Sequence, residues 1–312
     1  MSGPADTPPA AAASWTRQSE RSSAAIMRFM AWLSLTLGRR LSRVVLHGIA
    51  AYFVAFAPAA GRASRAYLAR ALGRAPTLAD RYRHILAFAT TIHDRIYFLN
   101  ERFDLFDIQI DGAEQVDAAL AGGRGVLLFG AHLGSFEALR ALGRHHTRHT
   151  VCMLMHEDNA RKLNSVLAAI NPAAVQDVLA LGRLDSMLQL RDRLDAGQMI
   201  GVLADRTPQA DTRPQDFLGA PAEFPLGPFR LAAMLRRPVL FMTALYLGGN
   251  RYRLRFAQLA DFSAVDREGR DAAIDAAQRA YAQQLEQCCR SAPYNWFNFF
   301  DFWRPDGAGP RP

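Results

Sequence analysis

From residue 106 onward the chain alternates between two hydrophobic periods, and few architectures accommodate that. Phe106 to Ile110 alternates as a strand does, and residues 112–121 read as a short helix. Further strands are expected at 125–130, 151–155, 175–181, 199–204, 239–247 and 252–259. Helices are expected between them at 136–142, 160–170, 185–196 and 231–235, with a longer one at 266–289. Residues 205–228 are rich in Pro and Gly and read as a long loop. Strands alternating with helices imply an α/β fold, a central mostly parallel or mixed sheet flanked by helices on both faces. The 312 residues, half of them hydrophobic, suit one large domain or one domain with an appendage.

Ahead of this region lies a helix with apolar positions three and four apart, from Tyr82 to Leu99 within residues 78–103. Its His84 and His93 have no partner at metal-ligand spacing and read as structural or surface residues. The opening differs in kind. Residues 1–14 are rich in Pro and Ala and read as a disordered tail without a cleavable signal peptide. Residues 15–75 contain two apolar stretches, Ile26 to Leu37 and Val44 to Ala60, separated by Gly38-Arg39-Arg40 and Arg43. A spanning helix needs roughly 20 apolar residues, and Val44 to Ala60 falls short. Arginines on both flanks favour a helical hairpin lying in or on an anionic leaflet. Two ordinary core helices are the alternative. Residues 76–312 make up the expected catalytic domain.

The stretch most suggestive of chemistry is Val126-Leu-Leu-Phe-Gly-Ala-His132-Leu-Gly-Ser-Phe-Glu137. A buried strand stops at a small-residue turn carrying a histidine, and an acid follows as a helix begins. Catalytic groups of α/β proteins collect at such strand ends. Five residues is about 500° of ideal helix, so His132 and Glu137 converge only if His132 stays in the turn. Such a pair supplies a general base and the carboxylate that fixes its tautomer. Gly134 and Ser135 offer backbone donors for an oxyanion, or a helix N-cap, with the cap the safer role for Ser135. No serine stands in Gly-x-Ser-x-Gly, which disfavours a nucleophile elbow.

Asp205-Arg206-Thr207-Pro208 ends a second buried run, and Arg206 suits phosphate or carboxylate. A local ion pair is its bland reading. Pro293 to Trp303 holds seven aromatics in eleven residues, fit to face lipid, line an acyl tunnel or plug the core. His145, His146 and His149 lack carboxylate or cysteine support for a metal and read as an exposed loop. Cys152, Cys288 and Cys289 fit neither a zinc site nor a disulfide framework.

His-x-x-x-x-Glu after a strand resembles the catalytic motif of the lysophospholipid acyltransferase superfamily, and its Glu form resembles the lipid A late-acyltransferase branch. Asp205-Arg206 matches that superfamily's second strand-end block. Asp216-Phe217-Leu218-Gly219, followed by Phe224-Pro225-Leu226-Gly227, matches its Phe-Phe-Gly block with Leu218 in place of the second Phe. Arg236-Arg237-Pro238-Val239 matches the fourth. The aromatic ending is similar to a sub-branch tied to aryl polyene pathways.

The resemblance implies a cofactor-independent O-acyltransferase at the cytoplasmic face of a bacterial inner membrane. His132 would act as base with Glu137. Gly134, Ser135, Arg161, Asp205, Arg206, Phe217 and Gly219 would meet substrate, with Arg183 an alternative to Arg161. The donor would be acyl carrier protein or acyl-CoA, and the acceptor a hydroxyl of a membrane glycolipid. The net charge of +8 suits an acidic carrier and an anionic membrane surface. Nucleic acid is disfavoured, because no recognised motif accompanies the charge. The alternatives are a thioesterase or lipid hydrolase using the same pair, and a non-catalytic lipid-binding protein.

Overall fold

The computed structural model describes residues 24–138, 151–156, 178–181, 184–206 and 211–303, with 164, 167, 170 and 171. The strands are β1 (Asp107–Asp111), β2 (Val126–Gly130), β3 (Val151–His156), β4 (Val178–Leu181), β5 (Met199–Leu203), β6 (Thr212–Phe217), β7 (Ala220–Pro225), β8 (Pro238–Gly248) and β9 (Arg251–Asp261). Seven form one mixed sheet in the order β1-β9-β8-β2-β5-β3-β4. Only the β8–β9 pairing is antiparallel within it, so β2, β3, β4, β5 and β8 all end at one edge.

β2 occupies the middle, and all five of its residues are buried. Leu127 and Phe129 point into a core shared with Leu68, Tyr281 and Trp296. Val126 and Leu128 point the other way, toward Phe98, Val116 and Tyr252. A strand covered on both faces has no polar side, which is why its sequence is an unbroken apolar run.

The segment expected as a long loop at 205–228 contains a hairpin instead. β6 and β7 pair antiparallel, with Phe217 opposite Ala220. Leu218 and Gly219, at φ of 52° and 79°, form its two-residue turn, the geometry that suits the right-handed strand twist. Prolines at 214, 221 and 225 hid the strands from a propensity reading.

The N-terminal helices are α1 (Ala24–Phe56) and α2 (Pro58–Leu72). The chain turns sharply at Pro58, by 94° between α1 and α2, rather than at the arginines after Leu37. At Gly38 (φ 76°, ψ 163°) the backbone leaves the helical region, so α1 is two helical stretches joined across a kink. The helix α3 (Leu78–Leu99) starts at a reciprocal cap, in which Thr77 accepts from Asp80 N and the Asp80 carboxylate accepts from Thr77 N.

A buried polar knot ties α1 to the sheet. Arg39 donates two hydrogen bonds to Asp94 at 2.8 and 2.7 Å, and Tyr252 donates to the same carboxylate at 2.8 Å. Arg39 and Arg43 both donate to the carbonyl of Gly249 in the β8–β9 turn. His93 bonds Ser42, and Tyr97 donates to Ser34 O. The expectation for His84 and His93 is met by their burial and hydrogen bonds in the interior.

Candidate active site

The sheet register brings the two strand-end motifs face to face. Gly130 of β2 pairs with Leu203 of β5, so two residues further along each chain His132 meets Asp205. The His132 Nδ1 lies 2.8 Å from Asp205 Oδ1, and the His132 backbone N–H donates to Oδ2 at 3.1 Å. The indole N–H of Trp296 also donates to Oδ2, at 3.2 Å.

Burial alone would push the Asp205 carboxyl up. The charges of His132 and Arg206 and the hydrogen bonds from His132 outweigh burial and hold it well below the usual carboxylate range. An ionised carboxylate only accepts, so Nδ1 carries the proton and Nε2 the lone pair. Desolvation and then the Arg206 charge push the His132 pKa below its usual value, against the pull of Asp205. The imidazole is therefore neutral at pH 7. Its side chain is 30% exposed while that of Asp205 is 1% exposed. The base is reachable and its carboxylate is sealed behind it.

This differs from the expected pairing. Glu137 sits in the first turn of a helix that begins at residue 136. Its Oε1 lies 2.9 Å from Arg95 Nε of α3, with both side chains largely buried. Glu137 thus meets α3, while strand register delivers Asp205 to the imidazole.

Gly134 and Ser135 are also placed otherwise than as oxyanion donors. The Gly134 N–H donates to Asn295 O and the Ser135 N–H to Ala244 O, both at 2.9 Å. Ser135 is a helix cap, its hydroxyl accepting from Ala138 N at 3.4 Å. Gly134 is required on two counts. Its φ is 70°, and a Cβ there would fall 1.9 Å from Ala244 O.

Arg206 keeps its place beside the pair, with its guanidinium 5.4 Å from the Phe300 ring. Phe217 does not face a substrate. It is fully buried, stacked on Trp303 and edge-on to Phe224, Trp296 and Phe302. Gly219 serves the hairpin turn, with open space around it. Arg161, its alternative Arg183, and His145, His146 and His149 lie outside the described residues. No group of three or more His, Cys, Asp or Glu among the described residues is placed to hold a metal ion.

The feature that sequence reasoning missed is the role of the aromatic ending, which is built into the site. Leu133 bridges to Trp296, and Phe297 N–H donates to His132 O at 2.7 Å. The Asn295 side chain binds both the N–H and the C=O of Tyr246. Residues 295–297 thus lie antiparallel against the His132 turn through the β-bridge of Leu133 to Trp296. Local periodicity carries no sign of such contacts, which span 165 residues between His132 and Phe297.

A neutral, partly exposed histidine bonded to a buried carboxylate at the carboxyl edge of a mixed α/β sheet has the chemistry to accept a proton from a bound hydroxyl. The profile of the bacterial lipid A biosynthesis acyltransferases matches residues 21–305, nearly the whole chain. The chain belongs to that family, and acyl transfer to a lipid acceptor is the activity the family indicates. No curated protein sequence matches it.

Proposed function

We propose that this protein is an O-acyltransferase that moves a fatty acyl chain from an acyl carrier protein or acyl-CoA thioester to a hydroxyl of a membrane glycolipid, with His132 as the general base. The observation that carries this reading is the 2.8 Å contact from His132 Nδ1 to Asp205, which leaves a basic Nε2 on a partly exposed ring. Nε2 takes the proton of the acceptor hydroxyl as its oxygen attacks the thioester carbonyl. The tetrahedral intermediate collapses, the carbon–sulfur bond breaks, and the imidazolium returns its proton to the departing thiolate. Asp205 supports the imidazolium between these two transfers. Arg206 is the cation nearest the pair and suits an anionic part of donor or acceptor.

The site works at the cytoplasmic face of the inner membrane, held there by the segment 15–75. Leu41, Val44, Tyr52 and Phe56 of α1 are exposed, with Arg40, Arg62 and Arg65 exposed on the same helical pair. Apolar side chains flanked by arginine fit an anionic leaflet. No single helix among the described residues is long and apolar enough to cross a membrane, although Met30–Phe56 and Pro58–Leu72 qualify together by length and composition.

The test is turnover of a labelled acyl-carrier-protein and acyl-CoA panel with bacterial membranes, for wild type and His132→Ala. Label passing into a lipid, and lost in the variant, is the expected result. Free fatty acid instead would make the protein a thioesterase. Absence of His132-dependent turnover with every donor would overturn the enzymatic reading.

A further inference from the structure

The aromatic ending contributes more than packing. We infer that Trp296 is a positioning residue for the base, its indole N–H fixing the Asp205 carboxylate that in turn holds the His132 imidazole. The inference rests on His132 acting as the base.

Trp296 is completely buried, and its ring cannot turn away. Tyr67, Phe217 and Phe302 stand edge-on to it, with centroids at 5.0, 5.3 and 4.9 Å. Its carbonyl accepts from His84 Nε2 at 2.8 Å, and His84 Nδ1 is held by Ser64. Its neighbours on either side are pinned to the Gly134 N–H and the His132 carbonyl. Both the backbone and the ring of Trp296 are thus fixed, and its N–H points at Asp205 Oδ2.

Packing alone does not call for an indole here. A phenyl ring would keep apolar neighbours around it, and the indole adds to this a donor that is never an acceptor. That donor shares Oδ2 with the His132 backbone N–H, while Oδ1 faces the imidazole. With three donors on two oxygens, the carboxylate plane is set, and with it the imidazole orientation. A hydrogen bond to an ionised group is among the stronger ones, and this one draws charge toward Oδ2, away from the Oδ1 that faces the imidazole.

The other ionisable groups around the pair are Arg206 at the end of β5, Tyr281 and Cys289 on the helix Arg270–Ser291, and His84 on α3. Tyr281 donates to Gly130 O. Among the described residues, the hydrogen bonds to Asp205 Oδ2 come from the His132 backbone N–H and the Trp296 indole.

The experiment replaces Trp296 by Phe, and separately by 1-naphthylalanine, which keeps the fused-ring area without the N–H. His132 is titrated by NMR in histidine-labelled protein, assigned by loss of its signal in His132→Asn. Without the indole donor Asp205 supports the imidazolium more strongly, so the His132 pKa should rise by about half a unit or more. The acid limb of the kcat/KM profile should move with it. Poorer orientation should lower kcat about tenfold, with KM for the donor unchanged. In the Asp205→Asn background the same replacements should shift nothing further.

An unmoved His132 pKa in a folded variant would overturn the inference, whatever happens to activity. A shift that persists in the Asp205→Asn background would overturn it as well. If the wild-type protein transferred no acyl chain, the proposed function would fall, yet the titration would still report whether Trp296 acts on His132 through Asp205.

Discussion

Glu137 Oε1 and Arg95 Nε lie 2.9 Å apart in a largely buried pocket between α3 and the helix that follows the His132 turn. Removing one partner of a buried pair strands the other charge, at a cost of about 3–5 kcal/mol. Glu137→Ala should therefore lower the thermal midpoint sharply. Combining it with Arg95→Met should recover much of the loss, because no uncompensated cation remains. A double-mutant cycle by chemical denaturation checks this, and additive losses would contradict it.

Asp205→Asn keeps the shape of the carboxylate but not its charge. Its amide nitrogen also sets a donor where the imidazole now donates. A fall in kcat of about 10²–10⁴-fold is expected, with near-wild-type binding of the thioester donor. Single-turnover kinetics on acyl-thioester substrates would measure both.

Gly134→Ala tests the turn itself. The added methyl would collide with Ala244 O at 1.9 Å, and alanine resists a φ of 70°. The turn must lift off β8, taking His132 away from Asp205. Transfer should drop by orders of magnitude, while the circular dichroism spectrum stays close to that of the parent.

Acid should weaken the fold through His84. Burial pushes its pKa from 6.5 down to about 4, against the hydrogen bond to Trp296 O. Between these two values the unfolded chain binds the proton and the native chain does not. The stability is therefore complete above pH 6.5 and falls as pH drops toward 4, by about 3 kcal/mol. Urea midpoints at pH 7 and pH 4.5 should differ less in His84→Gln than in the parent.

The α1 anchor offers a further check. Arg39→Met leaves Asp94 buried without its guanidinium, facing Tyr252 and His93, and about 3–5 kcal/mol should be lost. Pairing it with Asp94→Asn should be milder. Melting curves of the three variants would decide the point.

The strands past residue 106 that fall within the described residues were legible because β2 and its neighbours are buried and bounded by turn residues. Most of the helix expected at 160–170, and residues 139–142 of the one expected at 136–142, lie outside the described residues. His132 was legible because it interrupts such a run. Its partner was not. Glu137 is close in sequence, but the choice of Asp205 depends on Gly130 pairing with Leu203, a register that no local pattern encodes. Phe217 and Gly219 were assigned to substrate because their motif is read in one dimension. In space Phe217 is a core aromatic and Gly219 a hairpin turn. The hairpin was missed because proline-bearing edge strands look like loops. The break expected at Gly38 is present as a kink between two helical stretches, while the sharper bend at Pro58, a residue suited to starting a helix, was read as the end of an apolar run.

The strap laid by residues 295–297 over the His132 turn also has a kinetic side. The turn follows β2, its carboxylate follows β5, and its hydrogen bond to Phe297 comes from chain 165 residues downstream. Contacts so distant in sequence are slow to close during folding. The His132–Asp205 pair therefore depends on long-range closure, and a chain that has not yet closed it would hold His132 without its oriented carboxylate. On the proposed mechanism such a chain would have no base with which to squander thioesters on water.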